Sequence, residues 1–421
     1  MAYMARLFFT LLFLLGMKVL HINTALGGGA GIAALRICEA MRAAGIDSKL
    51  LTLDSFDREG CLSYSLTQKQ KENNKRKLFF LQKLTRLIVK RVAWHWATFD
   101  FDLSQIKEVQ EADVVYIHWV NDFLSYKSID YLLKTKKRVV WYMHDMWPIT
   151  GGCHQSFDCR GYEKKCSHCP QMKALKFLAS NQLMRKVKEW SGYDNFYLSA
   201  PSHWLCDCVK ESTLFRGNKV ICCPNVINTT IFKPQDKIEE RKKYGLPLNK
   251  KLVLFSATGI KNPYKGTEFL IEALCNIHDE NCEFVVLGKA TKEDFPLIIR
   301  NKVHAIGFVS GQEEMANLYS SADLLVITSM ADNFPNVVIE AMACGVPAVG
   351  FATGGIKDQI KHLWNGYIVE PRDVKGIVSG IDWVLNHSDY KQISFNARNY
   401  VIENCSYDVV LKNHSELLNG L

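Results

Sequence analysis

The sequence predicts an α/β protein with two doubly wound domains, each built on a parallel sheet that helices cover on both faces. Short apolar strands alternate with helical segments along the chain, which is the pattern of repeated βαβ units. A segment rich in proline and asparagine, residues 224–234, separates two series of such units. The predicted strands of the first series are 18–23, 48–53, 114–118 and 138–143, and those of the second are 252–256, 284–287, 303–306, 324–328 and 348–351.

The size and composition of the chain agree with two folded domains. Its 421 residues are enough for two or three domains, and its 48% of hydrophobic residues can fill their cores. The net charge of +9 favours acidic partners such as phosphates or an anionic membrane surface. The chain has 14 cysteines, but it is too long to need a scaffold of disulfides.

The first residues form a short hydrophobic segment. The apolar run 7–15 follows Arg6 and imitates a signal peptide, but it is too short to span a bilayer, and no small-residue cleavage pattern follows it. The first predicted strand begins immediately afterwards. We therefore interpret residues 1–16 as an extension upstream of a natural start at Met17, with a short membrane anchor as the alternative.

The most informative segment is residues 332–347, which places two carboxylates eight residues apart. Asp332 follows the predicted strand 324–328, and Glu340 lies within the helix that comes next. We expect both carboxylates near the carboxyl end of a parallel strand, where open α/β sheets bind nucleotides. The backbone N–H groups at the start of that helix favour a diphosphate. The pattern therefore predicts a nucleotide-sugar site; the alternative is a strand, a turn and a helix with two surface acids.

The same segment resembles the E-x7-E motif of the retaining glycosyltransferases of family 4, with Asp332 in place of the first glutamate. The sequence from Asp332 to Asn336 occurs as a variant in such enzymes of the colanic-acid type, which build bacterial surface polysaccharides. The resemblance implies the GT-B fold, in which two Rossmann-like domains face each other across a cleft. It also implies that Glu340 holds the donor ribose and that Asp332 binds hydroxyls of the transferred sugar.

The resemblance also sets the expected domain limits. We expect a Rossmann-like acceptor domain over residues 17–228, with a cysteine-rich insert at 151–170, and a nucleotide-sugar-binding domain over residues 229–395. In this family the last helix usually crosses back to the first domain. Residues 396–421 are therefore expected to form a helix that packs on the N-terminal domain.

Cations and a helix start are expected to bind the donor diphosphate. Lys265 and Gly266 match the lysine–glycine pair that reaches the donor phosphates in this family, whereas Ile260 occupies the position of the family's arginine. Lys261 lies beside it and could substitute, although an ammonium group cannot form the bidentate fork of a guanidinium. The other expected donor-binding residues are those at the start of the helix, Phe334, Pro335, Asn336 and Val337.

Glycines and histidines follow the strands of the first domain. The loop 27–31 lacks the G-x-G-x-x-G spacing of a dinucleotide site. By resemblance, Gly28 and Gly29 belong to the acceptor side of the cleft, with a simple tight turn as the alternative. His118 and His144 each end a predicted strand. His144 resembles the cleft histidine that contacts sugar hydroxyls, and His118 is a second candidate; structural hydrogen bonding is the alternative for both.

Four cysteines lie within a stretch of 17 residues, 153–169, on the carboxyl side of His144. Their spacing, C-x5-C-x6-C-x2-C, suits a structural zinc ion with tetrahedral coordination, and a related insert occurs in some glycosyltransferases of the colanic-acid type. The expected ligands are Cys153, Cys159, Cys166 and Cys169. His154 or His168 could replace one of them, and free or redox-active thiols are the alternative to zinc. Four protein ligands leave no open position, so a catalytic zinc is not expected.

A basic amphipathic helix is predicted between Lys69 and Trp96, with Trp94 and Trp96 at its rim. Nine lysines and arginines stand against one acid, Glu72, and large apolar residues are interleaved with them at helical spacing. Such a helix could lie on an anionic membrane. An ordinary solvated helix face is the alternative, and nucleic-acid binding is less favoured because no recognition motif accompanies the charge.

Taken together, the residues and the resemblance predict a retaining, metal-independent hexosyltransferase. It would move a sugar from a nucleotide diphosphate-sugar to a glycan acceptor, expected to be lipid-linked, in bacterial lipopolysaccharide or exopolysaccharide biosynthesis. We expect it in the cytoplasm or on the cytoplasmic face of the inner membrane, with no nucleic-acid partner and no catalytic cofactor. Two alternatives stay open: a non-catalytic GT-B-like binding protein and, less favoured, an NAD-dependent oxidoreductase that uses the loop 27–31.

Overall fold

The computed structural model describes residues 16–54, 58–90, 93–99, 101–257, 262 and 264–419. The chain divides into two compact units. The first comprises Met1–Val226 together with Val410–Leu421, and the second comprises Ile227–Val409. The division between them falls inside the predicted linker at 224–234. The predicted upstream extension lies outside the described residues, apart from its last position.

The described part of the first unit contains a seven-stranded parallel sheet. Its strands are β1 (Lys18–Ile22), β2 (Asp47–Thr52), β3 (Cys61–Ser63), β4 (Val114–Ile117), β5 (Arg138–Tyr142), β6 (Phe196–Ala200) and β7 (Val220–Cys222). Its helices are α1 (Gly28–Ala43), α2 (Gln68–Ile88), α3 (Lys107–Glu111), α4 (Tyr126–Leu133), α5 (Phe177–Trp190) and α6 (His203–Glu211). The strand order is β3-β2-β1-β4-β5-β6-β7.

The described part of the second unit contains a six-stranded parallel sheet. Its helices are α7 (Lys237–Lys243), α8 (Thr267–Cys275), α9 (Leu297–Arg300), α10 (Gln312–Ser321), α11 (Asn336–Ala343), α12 (Ile356–Gln359), α13 (Val374–Leu385) and α14 (Tyr390–Cys405), and α15 (Tyr407–Asn419) follows them. Its strands are β8 (Lys251–Ala257), β9 (Cys282–Gly288), β10 (Val303–Gly307), β11 (Leu324–Ile327), β12 (Ala348–Phe351) and β13 (Gly366–Val369). The strand order is β10-β9-β8-β11-β12-β13.

Both sheets are covered on their two faces, which explains why their central strands are continuous apolar runs. Every residue of β4, β11 and β12 is buried. Along β8, Leu252 and Leu254 pack into one hydrophobic cluster, while Val253 and Phe255 pack into another. Because successive side chains of a strand point to opposite faces, these clusters are the two core layers of the second sheet. The predicted architecture of two doubly wound parallel sheets is confirmed.

The strand order reverses once in each sheet, and the reversal determines where a ligand can bind. In the first sheet the chain runs outward from β1 to β3 and then returns to the other side of β1 as β4. The same reversal lies between β8 and β11 in the second sheet. Loops that leave adjacent strands on the two sides of a reversal diverge, which opens a crevice at the carboxyl ends. The loops after β1, β4, β8 and β11 are therefore the candidate ligand-binding loops.

Helix α1 begins earlier than the sequence predicted. It starts at Gly28 rather than near residue 32, so Gly28 and Gly29 lie in its first turn and not in a turn before it. The reason is a close approach: a Cβ at Gly31 would lie 2.5 Å from the carbonyl oxygens of Ala25 and Leu26. The glycines therefore let the helix start directly against the end of the preceding loop.

Four strands were not predicted: β3, β6, β7 and β13. β3 and β7 have three residues each and form the two edges of the first sheet, so they are too short to show a periodic pattern. Ser199 interrupts the apolar run of β6, and β13 has only three apolar residues after Gly366. These segments form strands because they pair with neighbouring strands in the folded sheet, although their own sequence pattern predicts a strand only weakly.

The segment 396–421 is not a single helix that packs on the first unit. It contains the end of α14 and the whole of α15, which are separated at Ser406. Helix α14 packs on α11, because its apolar residues Ala397 and Val401 join the core of the second unit. The return of the chain to the first unit is limited to residues from Val410 onward.

We expect Gly31→Ala to destabilise the first unit, because the added Cβ would overlap the carbonyl oxygens of the loop after β1. Overpacking of this kind typically costs about 1–3 kcal/mol. Urea unfolding followed by tryptophan fluorescence measures the change, since most of the nine tryptophans lie in the first unit. Gly29→Ala is the matched control in the same helix, where a Cβ meets nothing within 4 Å among the described residues. Equal unfolding midpoints for the two variants would contradict this account of α1.

Candidate functional site

In the second unit, the loops after β8 and β11 meet through a pair of opposite charges. The ammonium of Lys265 lies 2.8 Å from Oδ2 of Asp332. Hydrogen bonds tie the same loops together: the N–H of Met330 donates to the carbonyl of Tyr264 at 2.8 Å, and the hydroxyl of Thr328 donates to the carbonyl of Lys265 at 3.2 Å. Two predicted site residues are thus brought together at the reversal of the strand order.

Gly266 permits this close approach of the two loops. Its φ of +55° lies in the left-handed region that favours glycine, and a Cβ there would lie 2.1 Å from the carbonyl oxygen of Thr328. Gly266 is also the N-cap residue of α8. The lysine–glycine pair therefore has a geometric reason: the glycine makes the backbone contact, and the preceding lysine reaches Asp332.

The loop after β12 holds the other side of Asp332. The N–H of Gly355 donates to the carbonyl of Asp332 at 3.2 Å, and the hydroxyl of Thr353 donates to the carbonyl of Ser329 at 2.5 Å. The side chains of Asp332 and Lys265 remain 19% and 41% exposed, so a ligand can reach both. This loop was not predicted, although two consecutive glycines, Gly354 and Gly355, lie shortly after a buried strand and were a usable signal.

Glu340 lies inside α11, as predicted, but it is more deeply buried than a surface acid. Its side chain is in the core layer, and its Oε2 accepts a hydrogen bond from the hydroxyl of Tyr319 at 2.8 Å. Tyr319 was not predicted as a site residue. A tyrosine on the buried face of α10 needs a partner for its hydroxyl, which is the signal that could have identified it. The hydrogen bond fixes the orientation of the Glu340 carboxylate.

Helix α11 begins four residues after Asp332. Pro335 is the N-cap residue, and it precedes the first residue of the helix, Asn336. Phe334 is buried in the core, and Nε2 of Gln359 donates to the carbonyl of Pro335 at 3.1 Å. These contacts anchor the turn before the helix. The helix macrodipole places partial positive charge at this end, next to the loop that carries Asp332.

Together these groups can bind an anion and a polyol. The Lys265 ammonium and the start of α11 attract phosphate oxygens, whereas Asp332 and Glu340 accept hydrogen bonds from hydroxyl groups. Attraction of a phosphate and acceptance of hydroxyl hydrogen bonds compete within the Lys265–Asp332 pair, because each side chain neutralises the charge of the other. An ammonium has three N–H donors, so it can bridge Asp332 and a phosphate at the same time.

The predicted donor-binding residues lie on these loops or on α11 wherever the structure describes them. They are Lys265, Gly266, Asp332, Phe334, Pro335, Asn336, Val337 and Glu340. Lys261, and the arginine position at Ile260, lie outside the described residues.

In the first unit, the loop after β1 is joined to the loop after β4. The N–H of Thr24 donates to the carbonyl of Trp119 at 2.8 Å, and the N–H of Trp119 donates to Oδ1 of Asn23 at 2.9 Å. A Cβ at Gly28 or Gly29 would meet no described atom within 4 Å. Gly28 is required by its φ of +78°, but packing against the described residues does not explain the glycine at position 29. The start of α1 therefore leaves room for a ligand.

Three histidines form a continuous chain from β1 to the end of β5. Nδ1 of His21 lies 2.9 Å from Nε2 of His118, and Nδ1 of His118 lies 2.9 Å from Nε2 of His144. The ring centroids are 5.2 Å apart at each step. The predicted residues His118 and His144 are thus in direct contact. His21 was missed, because one histidine inside an apolar strand does not reveal its partner.

Burial keeps these imidazoles neutral. It lowers the pKa of His21 to about 3 and that of His144 to about 4, and it lowers the pKa of His118 well below its usual value. His414, whose Nδ1 lies 3.1 Å from the hydroxyl of Tyr116, has its pKa lowered to about 3 by the same cause. All four side chains are therefore uncharged at neutral pH.

Neutral rings give the histidine chain a direction. Each neutral imidazole has one N–H and one lone pair, so each contact needs one donor and one acceptor. If every ring donates toward His144, the second nitrogen of His144 carries a proton and can donate. If every ring donates away from it, that nitrogen has a lone pair and can accept. The second nitrogen of His144 is therefore a donor in one arrangement and an acceptor in the other.

A second chain of polar side chains ends at Asp145, next to His144. Nδ1 of His154 lies 2.5 Å from Oδ2 of Asp145, Nδ1 of His95 lies 2.7 Å from Nε2 of His154, and Nε2 of His95 lies 3.3 Å from Oδ2 of Asp122. Burial alone would raise the pKa of Asp145, but the pKa is lowered because His154 and a backbone N–H stabilise the carboxylate. The row of histidines that ends at His144 and the row of polar side chains that ends at Asp145 therefore both reach the end of β5.

The four predicted zinc ligands lie near one another in the first unit, because the Cys153 thiol interacts electrostatically with those of Cys159, Cys166 and Cys169. Among the described residues they do not stand in the arrangement of a metal-binding group, so the zinc site stays a prediction. Cys153, Cys166 and Cys169 are buried in the core of the first unit, and burial raises their pKa, to about 11 for Cys166. Without a metal ion these thiols are neutral, and zinc binding would require them to lose their protons. Cys159 is half-buried.

A buried lysine, which the sequence analysis missed, fixes the beginning of the cysteine-rich insert. The ammonium of Lys186 donates to the carbonyls of Trp147 and, at 3.0 Å, of Thr150, and it lies 3.8 Å from the centroid of the Trp147 ring. Burial lowers its pKa to about 7. Lysines on an amphipathic helix such as α5 normally reach solvent, so no sequence pattern distinguishes this one.

Comparison with protein families places the candidate site of the second unit within a known domain. Residues 236–404 match the family described as Glycosyl transferases group 1. The match includes the loops after β8, β11 and β12, and therefore the Lys265–Asp332 pair and Glu340.

Curated relatives cover part of the chain. An uncharacterized glycosyltransferase of Methanocaldococcus jannaschii is 36% identical over 186 residues, which is 42% of this chain and 47% of that protein. The N-acetyl-alpha-D-glucosaminyl L-malate synthase of Bacillus anthracis is 27% identical over 212 residues, which is 49% of this chain and 55% of that protein. The chain thus spans about half the length of these curated relatives.

Solved structures establish the fold of nearly the whole chain. HepE of Anabaena in complex with UDP matches with a TM-score of 0.66 and 17% identity, over 96% of this chain and 100% of that chain. The same protein has also been solved with UDP-glucose. At this level of identity the similarity concerns the fold, which is GT-B. The predicted fold class is therefore confirmed.

We expect the free energy of unfolding to fall as the pH is lowered below about 6.5, the usual pKa of histidine. In the folded chain His21, His144 and His414 stay neutral down to about pH 3 to 4, whereas their unfolded counterparts bind protons. The unfolded state therefore binds more protons in this window, and stability rises with pH. Each such histidine contributes about 1.4 kcal/mol per pH unit. Urea unfolding at pH 7.5, 6.5 and 5.5 measures the slope.

The control for this pH dependence separates buried from exposed histidines. His414→Gln should reduce the slope, because it removes a buried titrating group, whereas His203→Gln removes an exposed one and should leave the slope unchanged. A free energy of unfolding that stays constant between pH 7.5 and 5.5 would contradict the neutral histidine chain.

Proposed function

We propose that this chain, whose residues 236–404 belong to the group 1 family of glycosyl transferases and whose fold is GT-B, transfers a sugar from a nucleotide diphosphate-sugar to an acceptor. One observation supports this above the others. A cation and a carboxylate, Lys265 and Asp332, meet at 2.8 Å at the carboxyl ends of β8 and β11, beside the start of α11. A diphosphate and a sugar require this combination of charges.

In the proposed donor complex, the diphosphate lies between Lys265 and the start of α11. The ammonium would remain bonded to Asp332 and add a hydrogen bond to a phosphate oxygen. Asp332 would accept a hydrogen bond from a hydroxyl of the transferred sugar. Glu340, oriented by Tyr319, would accept hydrogen bonds from the ribose. Lys265 and the helix start then stabilise the charge that develops on the leaving diphosphate.

The proposed reaction retains the configuration at the anomeric carbon. The bond from the anomeric carbon to the diphosphate oxygen breaks, and the acceptor hydroxyl oxygen bonds to that carbon on the same face. The acceptor proton passes to the departing phosphate oxygen, so no protein nucleophile and no divalent metal are needed. Neutral His144 would orient the reacting hydroxyls, and Gly28, Gly29 and His118 would belong to the acceptor side.

We propose a lipid-linked glycan as the acceptor and bacterial surface polysaccharide biosynthesis as the role. The motif at 332–347 supports this, because its variant form resembles that of enzymes of this type. The Bacillus anthracis relative is named for a small acid, L-malate, so a small acceptor must be tested beside the glycan. HepE, which shares the fold, binds UDP and UDP-glucose, which makes uridine donors the first to test. The proposed location is the cytoplasm or the cytoplasmic face of the inner membrane.

The second candidate is a protein that binds nucleotide sugars without transferring them. The observation that favours it is the Lys265–Asp332 pair itself, because the lysine is already neutralised before the donor arrives. The two candidates differ in one result, which is turnover of the bound donor.

We expect Lys265→Met to lower kcat/KM for the donor by about tenfold or more, because a hydrogen bond to a charged group contributes about 1.5–3 kcal/mol. The assay measures release of the nucleoside diphosphate from UDP-, GDP- and ADP-sugars, with lipid extracts, oligosaccharides or L-malate as acceptors. Thermal shifts with the same nucleotides and with NAD report binding without turnover.

The matched control is Lys243→Met. Lys243 forms an ion pair of the same length, 2.8 Å, with Glu314, and its side chain is 44% exposed. It lies on α7, away from the candidate loops, so kcat/KM should change by less than about twofold. Equal effects of the two substitutions would remove Lys265 from the site. Binding of nucleotide sugars without turnover by any acceptor would favour the binding protein, and a thermal shift with NAD alone would favour the oxidoreductase.

A further inference from the structure

Helix α2 has two apolar faces, and only one of them packs on the first unit. Leu78, Leu81 and Leu84 are half-buried against the core of the first unit, and Ile88 is fully buried within it. These residues are spaced three or four positions apart, so they share one side of the helix. These four residues of the predicted apolar set are therefore used for folding, and they are not available to a partner.

The opposite side of α2 carries a second apolar set. Phe79, Phe80 and Leu87 are 71%, 66% and 68% exposed. At 100° per residue, Arg76, Lys83 and Leu87 fall between the directions of Phe79 and Phe80, within a sector of about 100°. We call Arg76, Phe79, Phe80, Lys83 and Leu87 the outer face of α2. Single exposed apolar side chains are common, but three large ones on one sector form a patch.

The charge around this patch has one sign. Residues 68–90 contain eight lysines and arginines and one acid, Glu72. All eight basic side chains are exposed, and none forms an ion pair with an acid that the structure describes. A patch of this composition is poorly suited to a protein core, because the cations would lose their hydration. It is complementary to a surface whose outer layer is negatively charged and whose interior is apolar.

Helix α2 presents the outer face rigidly. Thr67 and Gln70 form a capping box at its start, with the N–H of Gln70 donating to Oγ1 of Thr67 at 3.3 Å. Near its end, Nε1 of Trp96 donates to Oγ1 of Thr85 at 2.8 Å. Trp96 is therefore not part of an exposed aromatic rim, as the sequence suggested, but a support beneath the helix. A fixed helix can insert side chains without the entropy cost of ordering a loop.

We propose that the outer face of α2 docks on an anionic lipid bilayer. Phe79, Phe80 and Leu87 insert among the headgroups, while Arg76 and Lys83 contact lipid phosphates. Amphipathic helices that lie in the membrane interface combine these two features. The chain would rest on the bilayer, since none of the helices described is long and apolar enough to cross it.

This proposal goes beyond the transferase function and does not depend on it. Lipid binding by α2 can be measured without any sugar donor. If both proposals hold, the membrane-bound surface belongs to the first unit, which also carries the proposed acceptor groups Gly28, Gly29 and His144. A lipid-linked acceptor would then reach the unit that is proposed to bind it.

Vesicle sedimentation with the full chain tests the proposal. Vesicles of phosphatidylcholine with 40% phosphatidylglycerol are compared with vesicles of pure phosphatidylcholine, at low and at physiological salt. We expect binding to the anionic vesicles to be at least about tenfold stronger and to weaken with salt. The double variant Phe79→Ser/Phe80→Ser should lose about tenfold or more of this binding, because two rings no longer leave water.

Two matched controls isolate the outer face. Phe308→Ser removes a phenylalanine that is 83% exposed in the second unit, and it should not change vesicle binding. Arg76→Glu/Lys83→Glu should abolish the preference for anionic vesicles, whereas the same charge reversal at the exposed Lys164 and Lys165 should preserve it. All variants retain residues 1–15. Vesicle binding caused by that hydrophobic run would therefore persist in every variant, whereas binding caused by α2 would be lost in the α2 variants.

Three results would overturn the proposal. The first is no sedimentation of the chain with anionic vesicles. The second is equal binding of the wild type and the Phe79→Ser/Phe80→Ser variant, which would assign binding to another segment. The third is a change in oligomeric state for that variant without vesicle binding, which would assign the outer face to a second copy of the chain. Turnover with a soluble acceptor should be the same for wild type and variant, so a failure here is distinct from a failure of the transferase proposal.

Discussion

The structure depends on one constraint, which is that a parallel sheet whose strand order reverses must open at the carboxyl ends of two adjacent strands. This chain meets the constraint twice, between β1 and β4 and between β8 and β11. At each opening the chain leaves the strand pairing of the sheet. Loops and helix starts therefore place their polar groups there. In the second unit these groups are Lys265 and Asp332, and in the first they are histidines. The difference in charge between the two openings follows from the residues that end the strands.

The two openings solve the problem of buried polar groups in different ways. The second unit pairs a cation with a carboxylate and leaves both partly exposed, which suits a charged ligand that can exchange with the pair. The first unit buries His21 and His118 as neutral rings, because burial disfavours their charged forms. A charged pair of the first kind suits a ligand such as a phosphate, and neutral rings such as those of His21 and His118 provide hydrogen bonds without net charge. The charged pair suits a donor that carries a diphosphate, and the neutral histidines suit an acceptor that is a sugar.

Much of the fold and of the donor loops could be predicted, because their signals are local. The apolar runs of β8 and β11 and the spacing of Asp332 and Glu340 lie within short stretches of sequence. The parts that were missed depend on contacts between distant segments. Tyr319 and His21 matter only through the partners that the fold brings to them, and the sequence pattern of the predicted basic helix could not show which of its apolar residues pack on the first unit and which stay exposed. The zinc site stays a prediction, because cysteine spacing alone does not distinguish metal ligands from buried thiols.

Hydrogen–deuterium exchange with added UDP-glucose, GDP-mannose or ADP-glucose tests the central claim most directly, since it locates the donor without assuming which residues bind it. The account predicts that at least one of these donors slows exchange at residues 264–270 and 330–340, while β10 in the same unit is unaffected. Slower exchange confined to residues 23–31 of the first unit, or produced by NAD and by none of the sugar nucleotides, would contradict it.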